Sequence, residues 1–319
     1  MNAGMEHAFL RDIATAPEDD APRLVYADWL EDHDPGPRDR EGTSLRAEFI
    51  RLQCQLARLP AHDLQRPCLE AREQELFPAQ TADWLERLGK YGVTGMVLHR
   101  GLPEQVTISA ADFLGNMGEV LDAAPVRGAT VFDCRDVEAL AACPHLAKLT
   151  ALDFNWNHID AVGAEALARS PHLANLIQLD LGSNNIGNAG AAALAASPHL
   201  ANLVALHLDG NNIGNTGAAA LAASPYLAGL ILLDLRINDI DTVGARALAD
   251  SPHLTHLATL AVGYNDIGPE GAEALAGSRH LANLTRLDLE ANPLGDVSLR
   301  EIERRLEARR HNTPGRGRP

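Results

Sequence analysis

The sequence predicts an α/β solenoid of stacked strand-turn-helix units, preceded by a small all-α region. Asparagine returns every 27 residues, at Asn157, Asn184, Asn211, Asn238, Asn265 and Asn292, each time in a string close to Leu-x-Leu-x-x-Asn-x-Ile. A fixed period of this length marks a supersecondary unit that cannot bury its own apolar side and must stack on its neighbours. The first 92 residues lack the string and show helical apolar spacing instead, as at Leu24, Ala27, Trp29 and Leu30.

That spacing predicts helices over 6–15, 20–33, 44–59, 64–77 and 81–88. The breaker-rich run Asp34-Pro-Gly-Pro-Arg-Asp-Arg-Glu41 joins two of them. Residues 93–98 and 105–108 read as two short strands around Gly101-Leu-Pro103, and Ser109-Ala-Ala-Asp112 opens a helix with a capping box. With the truncated unit at 126–149 this stretch should close the open end of the stack, because a bare terminal layer exposes apolar area worth about 25 cal/mol per Å². The organisation expected is 1–92 all-helical, 93–125 a capping hairpin and helix, 126–308 repeats ending in a capping helix, and 309–319 a disordered basic tail.

Residues 176–202 show the grammar of one unit. Leu179 and Leu181 alternate with Gln178, Asp180 and Gly182, so the strand turns its leucines inward and the other three outward. Asn184 stands where the chain leaves the strand. Its amide has two donors and an acceptor for backbone groups that would cost about 1–3 kcal/mol each if left unpaired. Ile186 plugs the layer, Gly190 and the alanines to Ala196 form a closely packed helix around Leu194, and Ser197-Pro198 ends it. Leu200 and Leu203 lead into the next strand.

Aromatic residues make up only 4% of the chain, which suits thin aliphatic layers better than a globule centred on large rings. No leader-like apolar segment opens the chain and no run approaches the 18 or so apolar residues of a membrane span, so a soluble, cytoplasmic protein is expected, without membrane contact. Cys54, Cys68, Cys134 and Cys143 show no CxxC spacing and read as free buried thiols. Residues 151–292 hold 14 acids against 5 bases, whereas 293–319 hold 4 against 7. Phosphate recognition needs the opposite sign over the contact surface, which argues against nucleic acid as the partner of the repeats. The basic carboxy terminus reads as a solvated helix end and frayed tail.

The strings Leu179-Asp-Leu-Gly-Ser-Asn184 and Leu206-His-Leu-Asp-Gly-Asn211 resemble leucine-rich repeats, and the Gly-Ala-x-Ala-Leu-Ala helices make them similar to the ribonuclease-inhibitor and bacterial GALA subtypes. The resemblance covers about residues 126–308. It implies a horseshoe solenoid with a parallel sheet on the concave side and helices on the convex side. Separately, Phe9-Leu-Arg-Asp-Ile13, Ala21-Pro-Arg-Leu-Val-Tyr-Ala-Asp-Trp-Leu-Glu31 and Arg46-Ala-Glu-Phe-Ile-Arg-Leu-Gln53 resemble the repeat-companion domain that precedes repeats in large bacterial paralogous families. That resemblance implies a modular bacterial protein and no particular chemistry.

No motif for catalysis, cofactor or metal stands out. His145, His172, His199, His253 and His280 share one repeat phase, as consensus residues do, and the glycines fall within the repeat grammar rather than in a phosphate loop. No GxSxG elbow or HExxH is present. The acidic group Asp28, Glu31, Asp32 and Asp34 reads as a solvated helix face and its cap rather than a cation or hydrolytic site. Arg23, Arg46 and Glu48 read as an internal ion network rather than a contact site.

Function is therefore expected on the outward strand positions. One column reads Asp153, Asp180, His207, Asp234, Ala261, Asp288; the next reads Asn155, Gly182, Asp209, Arg236, Gly263, Glu290. Like charges on strands about 4.8 Å apart cost stability, which hints at use, although aspartate between the strand leucines is ordinary in the family. Departures from the repeat are more informative. Trp156, Ile237 and Tyr264 stand where other units have Ser183, Gly210 and Ala291, and Leu232 and Arg236 interrupt polar or small columns. Aromatics, arginine and exposed apolar groups within a charged rim have the composition of binding hot spots. The expected function is a monomeric, non-enzymatic scaffold whose acidic concave face holds a protein with a basic or mixed surface. Two alternatives stay open: an adaptor recruiting ubiquitin-ligase-like machinery through the amino-terminal helices, as GALA-type effectors with an F-box do, and a GTPase-activator-like protein.

Overall fold

Amphipathic spacing at the amino terminus produces four helices: α1 (Asn2–Thr15), α2 (Asp20–His33), α3 (Leu45–Arg58) and α4 (Arg66–Gly89). The computed structural model describes residues 2–295, 300–302 and 304–306. Within it the chain forms two units, residues 1–131 and 132–319. Ser44, the amino-terminal cap of α3, accepts the Ala47 amide, and Asp19 caps α2 through the Ala21 amide.

Helix α4 corrects the expectation of two helices over 64–77 and 81–88. It runs unbroken through Pro78, with Leu76, Gln80, Trp84 and Leu88 buried at intervals of four. An interior proline costs about 3 kcal/mol, but the buried face continues on both sides of it and holds the two halves in line. Cys68 sits on this helix and is exposed, which corrects its reading as a buried thiol; Cys54, Cys134 and Cys143 are buried thiols.

The acidic group on α2 is likewise not a simple solvated face. Asp34 is buried, accepting the Ser44 hydroxyl at 2.5 Å and facing Arg46 at 3.3 Å, while Arg51 reaches Asp28 and Glu31 at 2.8 and 2.5 Å. Arg46 also meets the Tyr26 hydroxyl at 2.9 Å, Glu6 at 3.5 Å and Asp83 at 3.7 Å, and Arg72 holds both oxygens of Glu48.

Strands β1 (Val93–His99) and β2 (Leu102–Ser109) form an antiparallel hairpin. Its turn is Arg100-Gly101, with φ of 49° and 86°, a two-residue loop whose twist matches that of the flanking strands, so Leu102 and Pro103 belong to the strand rather than the turn. Gly101 is obligatory for a second reason: a Cβ there would stand 2.6 Å from the Ile50 backbone. Ser109 caps helix α5 (Ala110–Ala123), accepting the Asp112 amide at 3.1 Å. Strand β3 (Gly128–Phe132) follows.

In the second unit, helix α6 (Val137–Ala141) precedes five full strand-helix repeats and a last strand. The strands are β4 (Ala151–Asp153), β5 (Gln178–Asp180), β6 (Ala205–His207), β7 (Leu232–Asp234), β8 (Thr259–Ala261) and β9 (Arg286–Asp288). The helices between them are α7 (Ala161–Arg169), α8 (Gly187–Ala195), α9 (Asn215–Ala222), α10 (Thr242–Ala249) and α11 (Pro269–Gly277). Every strand pairs in parallel with the next, and each residue lies opposite the one 27 positions on: Leu179 meets Leu206 and Leu206 meets Leu233. The sequence period is thus the register of the sheet. The strand leucines, the Ile186 column and the helix leucines are almost wholly buried. Helices approach closely because each carries a glycine against its predecessor; a Cβ on Gly190 would lie 2.9 Å from the Ala164 methyl.

Two internal ladders bind repeat to repeat. Asn184 Oδ1 accepts the amides of Asn157 and Ile159 at 3.1 and 2.8 Å, and its Nδ2 donates to the carbonyls of Phe154, Leu181 and Gly182. Asn238 does the same for Asn211, Ile213, Leu208, Leu235 and Arg236, and Asn265 and Asn292 continue the series. The second ladder is not evident from the sequence. Ser170, Ser197, Ser224, Ser251 and Ser278 are buried, and each donates its hydroxyl to a carbonyl 29 residues earlier, at the end of the preceding helix. Residues 300–302 and 304–306 are helical, with Ile302 and Leu306 buried; the basic tail expected at 309–319 lies outside the described residues. No helix among the described residues is long and apolar enough to cross a membrane.

Candidate functional site

The outward side of strands β4 to β9 gathers the residues singled out in the sequence. Parallel pairing places Asp153 opposite Asp180, Asp180 opposite His207, His207 opposite Asp234, and Ala261 opposite Asp288. Each aspartate in this column also closes the local turn, its carboxylate accepting the backbone amide two residues on. The pairs are Asp153 with Asn155 (2.9 Å), Asp180 with Gly182 (2.8 Å), Asp234 with Arg236 (3.0 Å) and Asp288 with Glu290 (3.0 Å). Turn closure at the strand end therefore accounts for the repeated aspartate, and the like-charge cost in the column is no longer a sign of use by itself.

A charged cluster forms at the middle repeats. Arg236 grips Asp234 with Nε at 3.0 Å from each oxygen and Nη2 at 2.6 Å, and His207 Nδ1 lies 3.9 Å from the same carboxylate. Burial works against the Asp234 charge, but the hydrogen bonds from Arg236 and the nearby His207 ring prevail and hold its pKa down to about 2. His207 shifts upward, first through the neighbouring Asp234 carboxylate and further through the charges of Asp180 and Asp209. Asp180 and Asp209 shift upward by burial and by carboxylate neighbours, Asp153 for the former and Asp234 for the latter. One guanidinium thus serves a cluster with three carboxylates, and the field stays negative.

The ligand atoms of His207, Asp209 and Asp234 lie within 4.8 Å of one another. Among the described residues this trio is the grouping that comes nearest to a cation site, but both oxygens of Asp234 are already engaged by Arg236.

The shifts make stability depend on pH in a defined direction. The folded-state pKa of His207 lies above its unfolded value near 6.5, so its contribution is complete below that value and is lost as pH rises through the folded one. Asp234 behaves oppositely: its contribution is present above about 3.8 and disappears as pH falls toward about 2. Denaturation midpoints measured from pH 6 to 9 should fall for the wild type, and His207→Asn should flatten that decline. An identical slope in the variant would remove the histidine from the pH response.

Other selected residues stand apart from this cluster. Tyr264 donates to Glu290 at 3.3 Å at the carboxy-terminal repeats, Leu232 sits half-buried at the start of β7, and Trp156 projects beyond the end of β4. Trp156, Ile237 and Tyr264 have positive φ of 60°, 54° and 56°, as do Ser183, Gly210 and Ala291 at the same point of the other units, and their side chains are 76%, 60% and 52% exposed. Their amides bond to the carbonyls of Gly182, Gly263 and Glu290 in the following repeat, so the ladder fixes that left-handed conformation.

A further row escapes the sequence reading. Ile177, Val204 and Ile231 occupy one phase immediately before the strands, are joined by amide-carbonyl bonds of 2.8 and 2.9 Å, and remain 45%, 36% and 45% exposed. Their signal is the same 27-residue spacing, hidden because two consecutive outward residues interrupt strict strand alternation.

Residues 145–168, 172–195, 199–222, 253–276 and 280–302 match the profile of the Leucine Rich repeat family. The units of the solenoid are leucine-rich repeats. Solved structures similar to the chain include an internalin from Listeria monocytogenes, at 20% identity over 67% of this chain and 60% of that one, with a TM-score of 0.40. Another is the leucine-rich repeat ectodomain of the plant membrane receptor kinase GASSHO1/SCHENGEN3 from Arabidopsis thaliana, in complex with Casparian strip integrity factor 2, at 18% identity over 55% of this chain and 25% of that one, with a TM-score of 0.29. The chain spans less than two thirds of the length of either. No curated relative matches the sequence. The repeat at 226–249 falls outside the matched segments, yet its α10 and its Asn238 bonds repeat the geometry of the others.

Proposed function

We propose that this leucine-rich repeat chain is a non-enzymatic interaction scaffold whose sheet face holds a protein of basic or mixed surface. The observation that carries this reading is the strained display of Trp156, Ile237 and Tyr264. A non-glycine residue in the left-handed region costs about 1–2 kcal/mol, and a β-branched residue such as Ile237 is the least suited of all. The equivalent positions Ser183, Gly210 and Ala291 carry small side chains, so the fold itself has no need of large ones. Large apolar side chains held in water at a strained position are explained by what they contact when a partner is bound. The acidic surplus of the repeats speeds encounter with a basic surface, and the apolar side chains supply the grip.

Asparagine tolerates the left-handed conformation, so a triple variant, Trp156→Asn, Ile237→Asn and Tyr264→Asn, separates binding from folding. In affinity capture from a lysate of the source cells at low and at high salt, proteins retained by the wild type should be lost from the variant, while its melting temperature stays equal or rises. Undiminished capture by the folded variant refutes the assignment.

A further inference from the structure

Resting on the scaffold reading, we infer that the sheet face carries a guanidinium-binding notch over Gly182, in which an arginine side chain of the protein partner lies between Asp180 and Asp209 with Trp156 alongside. Gly182 stands in the second outward column, where other repeats carry Asn155, Asp209, Arg236 and Glu290. Its backbone is not left-handed, so the conformation does not call for glycine. What the missing side chain leaves is space. A Cβ there would stand 2.8 Å from Asp209 Oδ1 and 3.1 Å from Asp180 Oδ1, so carboxylates of two neighbouring repeats converge over bare backbone. Over Gly263, the other glycine of the column, the nearest atoms include a single carboxylate, that of Asp288.

The surroundings of the notch call for a cation with several donors. Asn155 stands opposite Gly182 in the preceding repeat, and its side-chain oxygen is buried without a hydrogen-bond partner, an acceptor that lacks a donor. Among the described residues no other residue donates a hydrogen bond to the Asp209 carboxylate, and Asp180 accepts the Gly182 amide at 2.8 Å and no side-chain donor. His207, opposite Asp180, approaches Asp234 instead. Burial and then neighbouring carboxylates raise the pKa of both Asp180 and Asp209, as fits charges without a counter-ion. The repeat at β7 shows what such a position accepts. There Arg236, in the place of Gly182, grips Asp234, in the place of Asp180, through Nε and Nη2. Glycine at 182 withholds that guanidinium and leaves its place to one from outside. A planar fork of five donors meets several acceptors at once, which the point charge of an ammonium does not. Trp156, whose amide bonds to the Gly182 carbonyl at 3.2 Å and whose side chain is exposed, adds an aromatic surface on which a guanidinium can stack.

The test titrates the isotopically labelled full chain by NMR with three blocked probes: N-acetyl-arginine amide, its lysine analogue, and its citrulline analogue, which keeps the shape of arginine without the charge. Arginine should shift the Gly182 and Asp209 amides and the Trp156 indole along one saturable curve. Lysine should bind about fivefold more weakly, and citrulline should give no saturable shift. Gly182→Ala, which puts a methyl group into the notch, and Asp209→Asn should each weaken arginine about tenfold. The added methyl meets the ends of two flexible carboxylates rather than the core, and circular dichroism melts verify folding. If Gly182→Ala is destabilised, Asp209→Asn, which keeps the side-chain shape, decides. Equal affinity for arginine and lysine, or shifts spread over the acidic surface and indifferent to both substitutions, overturns the inference. The broader scaffold reading fails separately. Lysate capture lost by the triple asparagine variant but kept by Gly182→Ala and Asp209→Asn upholds the scaffold and refutes the notch, whereas saturable arginine binding with undiminished capture by the triple variant does the reverse.

Discussion

Replacing Asn184 by alanine should lower the stability of the repeat unit by about 3–5 kcal/mol, the sum of a few orphaned buried groups at about 1–3 kcal/mol each. The side chain is buried and satisfies five backbone partners: the amides of Asn157 and Ile159, and the carbonyls of Phe154, Leu181 and Gly182. Three of these belong to the preceding repeat, so the loss falls on the coupling between layers, which is where a stacked array derives its cooperativity. Chemical denaturation would show an earlier midpoint, and hydrogen exchange would show the Asn157 and Ile159 amides losing protection first. The adjacent Asn185 supplies the control. It is exposed and its side chain meets the Asn212 amide at 2.8 Å, a surface contact, so Asn185→Ala should change stability by less than about 0.5 kcal/mol. Equal shifts for the two variants would mean that the buried ladder is dispensable.

In the first unit, Arg46→Met should be as damaging, at about 3–5 kcal/mol, because removing one member of a buried ion network leaves the others without compensation. Arg46 is surrounded by Asp34, Glu6, Asp83 and the Tyr26 hydroxyl, and its guanidinium lies 5.3 Å from the centre of the Trp84 ring. Glu6 keeps Arg87 at 2.7 Å and Asp34 keeps Ser44, so the network loses its centre rather than every bond. Lysine restores a charge but not the planar fork that meets several acceptors at once, and Arg46→Lys should fall between methionine and the wild type. Tryptophan emission can follow the transition, since Trp84 is buried here while Trp156 of the repeats is already exposed. A midpoint unchanged by Arg46→Met would show that α2, α3 and α4 hold together without it.

The repeat geometry is legible in the sequence because a solenoid is a local problem solved many times. A unit contacts its neighbours at a constant offset, so Leu179, Asn184 and Ile186 report their environment through their recurrence. The role of Asn184 follows from valence alone, since a buried turn has backbone donors and acceptors to satisfy and an amide satisfies both kinds. Ser197 has the same regularity, but a hydroxyl before a proline has an equally good local explanation as a cap. Its bond to the Ala168 carbonyl depends on the distance between adjacent helices. The amino-terminal helices offer no such redundancy. Pro78 reads as a break by its local cost, whereas burial of Leu76, Gln80 and Trp84 along one side carries the helix across it. The charges of α2 read as solvated because the partners Ser44, Arg46 and Arg51 lie elsewhere in the chain, on α3 and its cap.

The candidate site divides along the same line. That Trp156, Ile237 and Tyr264 depart from their column is a property of the sequence; that they sit at positive φ, held by bonds to the next repeat, is a property of the fold. The aspartates are visible as a column, but their bonds to the amide two residues on require the strand-end geometry.

By itself, the sequence determined the period, the inward leucines, the buried amides and the excess of negative charge, because each follows from residue type at a constant interval. Tertiary structure alone decided which carboxylates are occupied, which rim stays exposed and which strained side chains face solvent. Those outcomes depend on atoms that only the stacking of successive layers brings within a few ångströms of one another.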